Sequence, residues 1–293
     1  MIEPVTDATV DRFIAYCARY GAEHDSSYLP ETTFLVSPDQ PSFLLVRNGD
    51  DVGAISLLRG EPFITAGRGR FAVLHTIAPD IADYRALLNA IRPHFGGLKS
   101  VYLFLPEERT QAASIVAQLG FRVERYSFVM ELAEPLRTQV MLPPGFEIVR
   151  IGPQDDLRIE QYVELVNRGF AELAGHLNLT SDVMRTWFGE ETYLADGIRI
   201  LLQDGLPVGT ITISREYEDR SAGEIGGLSV LPERRGRGLG RLLLRHGIEF
   251  ARSRGLAPIF LSVNGENQSA LKLYLSEGFQ LLQTVVCYTL DCA

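Results

Sequence analysis

The sequence predicts a mixed α/β protein, in which an α+β mixed sheet is built twice as two tandem domains of the same fold. Two observations lead to this fold class. Val52-Gly53-Ala54-Ile55-Ser56 is matched by Val208-Gly209-Thr210-Ile211-Thr212, and Gly120-Phe121 is matched by Gly278-Phe279, so the second half repeats the first. In the second half a glycine-rich turn and a helix lie between two apolar strands, which is typical of a parallel crossover.

Composition excludes several classes of protein. The chain of 293 residues can bury two cores, and its net charge of −9 disfavours nucleic acid or an anionic membrane as partner. Cys17, Cys287 and Cys292 lack disulfide or zinc spacing, so we expect free thiols and no metal site. Because there is no signal segment and no apolar run of membrane-spanning length, we expect a cytoplasmic protein. The acidic charge favours a cationic or amine substrate.

The first half begins with a helix and an antiparallel hairpin around Asn48-Gly49. Apolar periodicity predicts a helix over 7–22, strands over 43–47, 52–58 and 71–77, a helix over 82–91, a strand over 100–105, a helix over 110–119 and a strand over 121–132. Pro135 and Pro143-Pro144-Gly145 then interrupt the pattern. We therefore expect a first domain over 1–135, a linker over 136–145 and a second domain over 146–293.

The second half follows the same plan around a hairpin at Asp204-Gly205. The pattern predicts a strand over 146–150, a helix over 156–171, a loop and helix over 172–190, strands over 198–203 and 208–214, a strand that includes Glu224, a helix after the glycine-rich turn, a strand over 259–263 and a last helix after Asn267. The second half is therefore one copy of the repeated fold.

The glycine turn, residues 234–241, has the composition of an anion site. Gly236, Gly238 and Gly240 let backbone amides converge at a helix N-terminus, where an anion can bind. The positive end of the helix dipole is also crowded by arginines, which favours a negative ligand among them: Arg234, Arg235, Arg237 and Arg241. The alternative is a solvated basic turn. A P-loop and a dinucleotide fingerprint are excluded by spacing.

Arg235-x-x-Gly238-x-Gly240 resembles the R/Q-x-x-G-x-G/A signature of the GCN5-related N-acetyltransferase (GNAT) superfamily. Its second signature, N-x-x-A-x-x-x-Y-x-x-x-G-F, is matched from Asn267 to Phe279. The resemblance implies acetyl-CoA (coenzyme A) as co-substrate, with its pyrophosphate held by the glycine turn. The cofactor-binding residues that it implies are Leu228, Ser229, Val230, Arg235, Gly236, Arg237, Gly238, Leu239, Gly240, Arg241 and Asn267.

The resemblance also implies two catalytic residues. Tyr274 corresponds to a tyrosine that gives a proton or a hydrogen bond to the departing thiolate of coenzyme A, although it could instead be a core residue. Glu224 lies early on the strand where several family members place the base that takes the ammonium proton, and an exposed strand-edge charge is the alternative. Glu190, Glu191 and the C-terminal region are the alternative bases. Asn267 is equally a helix N-cap candidate. Gly226-Gly227 predicts a bulge, beside which the amide of Leu228 or Val230 would polarise the thioester carbonyl.

The two halves differ at the position of the turn. Ile81-Ala82-Asp83-Tyr84 replaces the glycine turn in the first half, with no glycine and with an acid that would repel pyrophosphate. We therefore expect a degenerate first domain and coenzyme A only in the second, a plan that resembles two-domain acetyltransferases of the mycothiol synthase type.

The resemblance implies an N-acetyltransferase that acts by direct attack of the primary amine of a small molecule. Specificity is expected to come from the covering segment over 170–188 and from the interdomain face. The alternatives are a non-catalytic acyl-CoA-binding regulatory module, and a partner-binding or homodimerising first domain. The resemblance does not fix the identity of the acyl acceptor.

Overall fold

The computed structural model describes residues 1–23, 28–133, 140–173, 175–216 and 219–292. The chain forms two compact units, of which the first comprises Met1–Ser127 and Gln283–Ala293 and the second comprises Phe128–Leu282. Each unit has hydrophobic clusters of its own, which contain the helices packed against its strands. A mixed α/β fold built twice is therefore what the structure contains.

The first unit has strands in the order β1-β2-β3-β4-β5-β12. Neighbouring strands are antiparallel except β4 and β5, which run parallel. The elements are β1 Ile2–Pro4, α1 Val10–Tyr20, β2 Ser42–Arg47, β3 Asp50–Leu58, α2 Phe63–Ala66, β4 Arg68–Thr76, α3 Ile81–Ile91, β5 Ser100–Pro106, α4 Thr110–Gln118, β6 Arg122–Leu132 and, from the end of the chain, β12 Gln280–Asp291.

The second unit has strands in the order β6-β11-β10-β9-β8-β7. Its further elements are β7 Phe146–Arg150, α5 Asp156–Phe170, α6 Ser181–Trp187, β8 Ile198–Gln203, β9 Leu206–Arg215, β10 Gly223–Val230, α7 Leu239–Ser253, β11 Ile259–Asn264 and α8 Gln268–Ser276. β10 and β11 are parallel, as the glycine turn between two apolar strands predicted. The hairpin of β8 and β9 and that of β2 and β3 are also present.

The units exchange their last strands. Most of β12 belongs to the first unit, where it pairs with β5 from Val285–Pro106 to Asp291–Ser100 and contributes Leu290 to the core. The end of β6 belongs to the second unit, where Met130 is fully buried. The compact units therefore differ from the predicted domains 1–135 and 146–293, which assumed contiguous halves. Of the predicted linker 136–145, residues 136–139 lie outside the described part of the chain.

The sheet of the second unit is covered on both faces. Leu243 and Leu244 of α7 pack in one cluster, and Ile159 and Tyr162 of α5 pack in the other. Because β9 and β10 are buried on both sides, the site at the end of β10 is held by a rigid scaffold. Among the described residues, no helix has the length and apolar character needed to cross a membrane.

Candidate active site

A groove of about 600 Å³ lies along the end of β10 in the second unit, and we call it the β10 groove. The parallel register of β10 with β11 ends at Ile225–Leu261, although β10 continues to Val230 and β11 to Asn264. The groove is lined by the end of β10, the glycine turn, the first turn of α8 and the end of α5. Its volume is within the usual range for a site that binds a small ligand or cofactor.

The glycine turn presents free amides to this groove. Gly238 is the N-cap of α7 in the left-handed conformation, with φ of +80°, and has no side chain that could cap the helix. The amide of Leu242 donates to the carbonyl of Gly238 at 3.0 Å, so the amides that precede it in the first turn have no partner within the helix. A Cβ atom added to Gly236 or Gly238 would meet no atom within 4 Å. The turn is therefore an open anion site.

The arginines of the turn have different roles. Arg235 donates to the carbonyls of Gly169 (2.6 Å) and Val230 (3.2 Å), and so ties the end of α5 to the end of β10. Arg241 pairs with the buried Glu277 at 3.1 Å. Arg237 is exposed and does not line the groove, unlike every other residue predicted to bind the cofactor. The Arg235 side chain therefore positions the groove wall, a contact that the motif alone did not predict.

The predicted bulge is present in β10. Gly226 pairs with Thr212 and Ser229 with Thr210, so β10 carries one extra residue between these pairs. Gly227 has φ of +55°, and a Cβ atom there would lie 2.2 Å from the Tyr162 hydroxyl. That hydroxyl is 2.6 Å from Thr212 Oγ1, and burial raises the pKa of Tyr162 to about 12. The bulge requires glycine for two reasons, backbone conformation and space.

A second, smaller cavity of about 220 Å³ lies beside the bulge, and we call it the acidic pocket. It contains Glu224 and Glu190, and burial raises the pKa of both carboxyl groups, that of Glu224 also through the nearby Glu216. Its lining comprises Tyr162, Trp187, Glu190, Thr192, Tyr193, Leu194, Ile198, Thr212, Ile213, Ser214, Glu224, Gly226 and Gly227. Glu224 therefore faces a cavity rather than open solvent, which favours a base over an exposed strand-edge charge.

Tyr274 lines the β10 groove from α8. Its side chain is buried, the ring lies 6.0 Å from that of Phe279, and burial raises its pKa to about 12. Within the described residues the hydroxyl has no hydrogen-bond partner. A protonated hydroxyl at a groove wall without an internal partner can donate to a ligand, so the position allows the predicted role as well as a role in packing.

Asn267 is the N-cap of α8, since its side chain accepts from the amide of Ala270 at 3.1 Å. It also lines the β10 groove. The capping interpretation is confirmed, and contact with a cofactor stays a prediction. Among the described residues, no group of three or more His, Cys, Asp or Glu side chains is arranged to hold a metal ion.

The corresponding segment of the first unit is built differently. At the start of α3, Asp80 accepts from the amide of Ala82 at 2.6 Å and so occupies the end of the helix with its own carboxylate. Asp83, in the first turn, pairs with Arg47 at 2.7 Å. These two acids leave no open anion site like that of the glycine turn, in keeping with a degenerate first domain.

Comparisons with known proteins agree with the fold. Residues 159–279 match the acetyltransferase (GNAT) family. The mycothiol acetyltransferase of Thermobispora bispora is 29% identical over 263 residues, which cover 86% of this chain and 84% of that protein. The structure of a tandem GNAT protein from the clavulanic acid biosynthesis pathway is similar, with a TM-score of 0.74 and 18% sequence identity. The match covers 100% of this chain and 99% of that protein. A GCN5-related N-acetyltransferase from Sphaerobacter thermophilus has a TM-score of 0.70 at 18% identity, over 100% and 95% of the two chains.

The fold and the family match are those of an acetyltransferase. Residues 159–279, in the second half, match the GNAT family, and a tandem GNAT protein shares the fold of the whole chain. The predicted family, fold class and enzyme class are confirmed.

Replacing Gly227 by alanine should destabilise the second unit strongly. Alanine at this positive φ costs about 1–2 kcal/mol, and the overlap with the Tyr162 hydroxyl adds about 1–3 kcal/mol. Gly205→Ala is the control, because φ is +79° there and the added Cβ meets no atom within 4 Å. Urea denaturation of both variants should show the larger loss for Gly227→Ala. Equal losses would mean that the Tyr162 contact does not constrain the bulge.

Proposed function

We propose that the second unit transfers an acetyl group from acetyl-CoA to the primary amine of a small molecule by direct attack. The arrangement of the bulge carries this proposal, because consecutive residues line different cavities. Gly227 lines the acidic pocket and Leu228 lines the β10 groove. A thioester in the groove at this position would be open to a nitrogen atom arriving from the acidic pocket. GNAT enzymes use acetyl-CoA, which supports the groove as its site.

Glu224 is proposed as the base. An ammonium ion cannot attack a thioester, so it must first lose its proton to a carboxylate, directly or through water. Burial and the nearby Glu216 raise the pKa of Glu224, which brings its affinity for a proton closer to that of an amine. Glu190 faces the same pocket and is the alternative base.

The later steps involve the bulge and Tyr274. The nitrogen forms a bond to the carbonyl carbon, and the oxygen that becomes negative would accept from the amide of Leu228, which the bulge takes out of the regular ladder. The carbon–sulfur bond then breaks, the electron pair leaves with sulfur, and the attacking nitrogen, now part of the amide, gives its second proton to water. A tyrosine with a pKa near 12 holds its proton more tightly than a thiol with a pKa near 8.5, so Tyr274 would stabilise the thiolate by a hydrogen bond.

The acceptor is proposed to be an amine of the mycothiol type, because relatives named mycothiol acetyltransferase cover most of the chain. We also propose a cytoplasmic location, since Cys17, Cys287 and Cys292 are free and a reducing compartment keeps thiols free. Homodimerisation through the first unit and the absence of a metal stay predictions.

Glu224→Gln tests the base. We expect kcat/KM to fall about tenfold to a thousandfold at neutral pH, and the loss to shrink at high pH, where more of the acceptor is already neutral. The measurement is the pH profile of acetyl-CoA turnover with one amine. Glu191→Gln is the control, because Glu191 is exposed and pairs with Arg220 outside the acidic pocket.

The same variant has an expected effect on stability. Because the folded protein raises the pKa of Glu224 above its ordinary value, ionising this group lowers the free energy of unfolding as pH rises from about 4.5 through the raised pKa. Glu224→Gln should therefore have a higher melting temperature than the wild type at neutral pH, but not below pH 4. If the activity of Glu224→Gln has the same pH profile as that of the wild type, the base is Glu190 or ordered water and not Glu224.

A further inference from the structure

The bulge of β10 is built from residues that do not restrain their own backbone. Gly226 and Gly227 have no side chains, and a glycine adopts a much wider range of backbone angles than any other residue. The local sequence therefore does not fix the orientation of the peptide group between Gly227 and Leu228. The N–H of this peptide is the proposed donor to the oxygen that becomes negative, so its direction matters for the reaction.

A side chain of the neighbouring strand contacts this peptide. Thr210 of β9 is fully buried, and its hydroxyl donates to the carbonyl of Gly227 at 2.7 Å. The same hydroxyl lies 3.1 Å from Ser229 Oγ, which donates to the carbonyl of Leu165 in α5 at 3.2 Å. Thr210 and Ser229 are also partners in the strand register, directly after the extra residue of the bulge. Side-chain hydroxyls therefore connect the bulge to β9 and to α5.

Fixing the carbonyl of a peptide also fixes its amide. The bond between Gly227 and Leu228 is trans, so its C=O and N–H point in opposite directions. Because the C=O points to Thr210 in the buried sheet, the N–H of Leu228 points away from Thr210. Leu228 lines the β10 groove. A hydrogen bond accepted by the carbonyl also polarises the peptide group, which makes its N–H a stronger donor.

We infer that Thr210 is a positioning residue of the acetyl transfer, which holds the Gly227–Leu228 peptide with its N–H turned into the β10 groove. This inference rests on the proposed function, since that function assigns the developing negative charge to this N–H. Without the hydroxyl, the buried carbonyl loses this donor, and the peptide gains by turning toward another partner. The oxygen that becomes negative then loses a donor that was oriented in advance.

Thr210→Val tests the inference, because it removes the hydroxyl and keeps the shape of the side chain. We expect kcat with acetyl-CoA and one amine to fall about tenfold to a hundredfold, while the dissociation constant of coenzyme A changes less than about threefold. Thr210→Ser keeps the hydroxyl and should keep kcat within about threefold of the wild type. Thr210→Ala also lacks the hydroxyl and should lose as much rate, so the result does not depend on how well valine is tolerated.

Thr289→Val is the matched control. Thr289 is a buried threonine of β12 in the first unit, and its hydroxyl donates to the carbonyl of Val101 at 3.4 Å. Both valine variants should lose stability in urea denaturation, since each leaves a buried carbonyl without its donor. Only Thr210→Val should lose kcat. A merely structural role of Thr210 would lower stability in both variants and kcat in neither.

Infrared spectroscopy provides a readout that needs no turnover. Acetyl-CoA labelled with ¹³C at its carbonyl is bound to the full chain without an amine, and the stretching frequency of the carbonyl is measured in the isotope-edited difference spectrum. A hydrogen bond to a carbonyl lowers this frequency. The frequency should therefore be higher in Thr210→Val than in the wild type, and unchanged in Thr210→Ser.

The inference requires both changes in Thr210→Val, a lower kcat and a higher frequency, and neither change in Thr210→Ser. Any other combination in an active enzyme would overturn it. Failure of the proposed function has a different signature. If the wild type acetylates no amine, the reaction is rejected, and the infrared frequency alone decides whether Thr210 orients the Leu228 amide toward the bound carbonyl.

Discussion

Gly238→Asp should abolish measurable binding of coenzyme A, weakening it at least about a hundredfold. The substitution puts a negative charge beside the turn amides, where the pyrophosphate is expected, and its carboxylate can accept from those amides in place of the ligand. Aspartate is among the residues that tolerate a positive φ best, so the φ of +80° should cost only about 1–2 kcal/mol of stability. Calorimetric titration of the full chain with coenzyme A measures the effect.

Gly255→Asp is the matched control for this prediction. Gly255 follows the other end of α7 with φ of +74°, and a Cβ atom there also meets no atom within 4 Å. Both variants should lose similar stability, whereas only Gly238→Asp should lose the ligand. The same titration of the wild type should give one site per chain, since Asp80 occupies the corresponding helix end of the first unit. If Gly238→Asp binds coenzyme A with an affinity within threefold of the wild type, the glycine turn is not part of the binding site.

Tyr274→Phe should lower kcat about tenfold to a hundredfold while the affinity for coenzyme A changes only a few-fold. A hydrogen bond to a charged atom is worth about 1.5–3 kcal/mol, and the thiolate carries its charge only after the carbon–sulfur bond has weakened. The loss should therefore appear in the rate and not in ground-state binding. Steady-state kinetics with acetyl-CoA, together with calorimetric titration of coenzyme A, separate the two quantities.

Tyr126→Phe removes the same hydroxyl from an exposed position outside both cavities and should leave the kinetics unchanged. The melting temperature of Tyr274→Phe should stay close to that of the wild type, because the Tyr274 hydroxyl makes no hydrogen bond with the described residues. An unchanged kcat would assign Tyr274 to packing against Phe279. A large loss of coenzyme A affinity would instead indicate that the hydroxyl acts in binding.

Local sequence patterns determined most of the second unit. The sequence predicts the glycine turn, the hairpin at Asp204-Gly205 and the bulge at Gly226-Gly227, because each is encoded by residues that are neighbours in the chain. The same holds for the capping of α8 by Asn267. The two motifs also place Tyr274 and the turn at one groove, since parallel strands bring helix N-termini to the same edge of a sheet.

Contacts between distant parts of the chain were decided only by the tertiary structure. The strand β12 was not predicted, and its pairing partner β5 lies far earlier in the sequence, so no local pattern could show that the units exchange strands. Tyr162 lies within the helix that the sequence predicts over 156–171, and only the structure shows that its hydroxyl reaches Thr212 and fills the space beside Gly227. Glu190 and Glu224 enter one pocket from different segments. Periodicity records which face of an element is buried, whereas the partner that it meets there depends on how the sheet assembles.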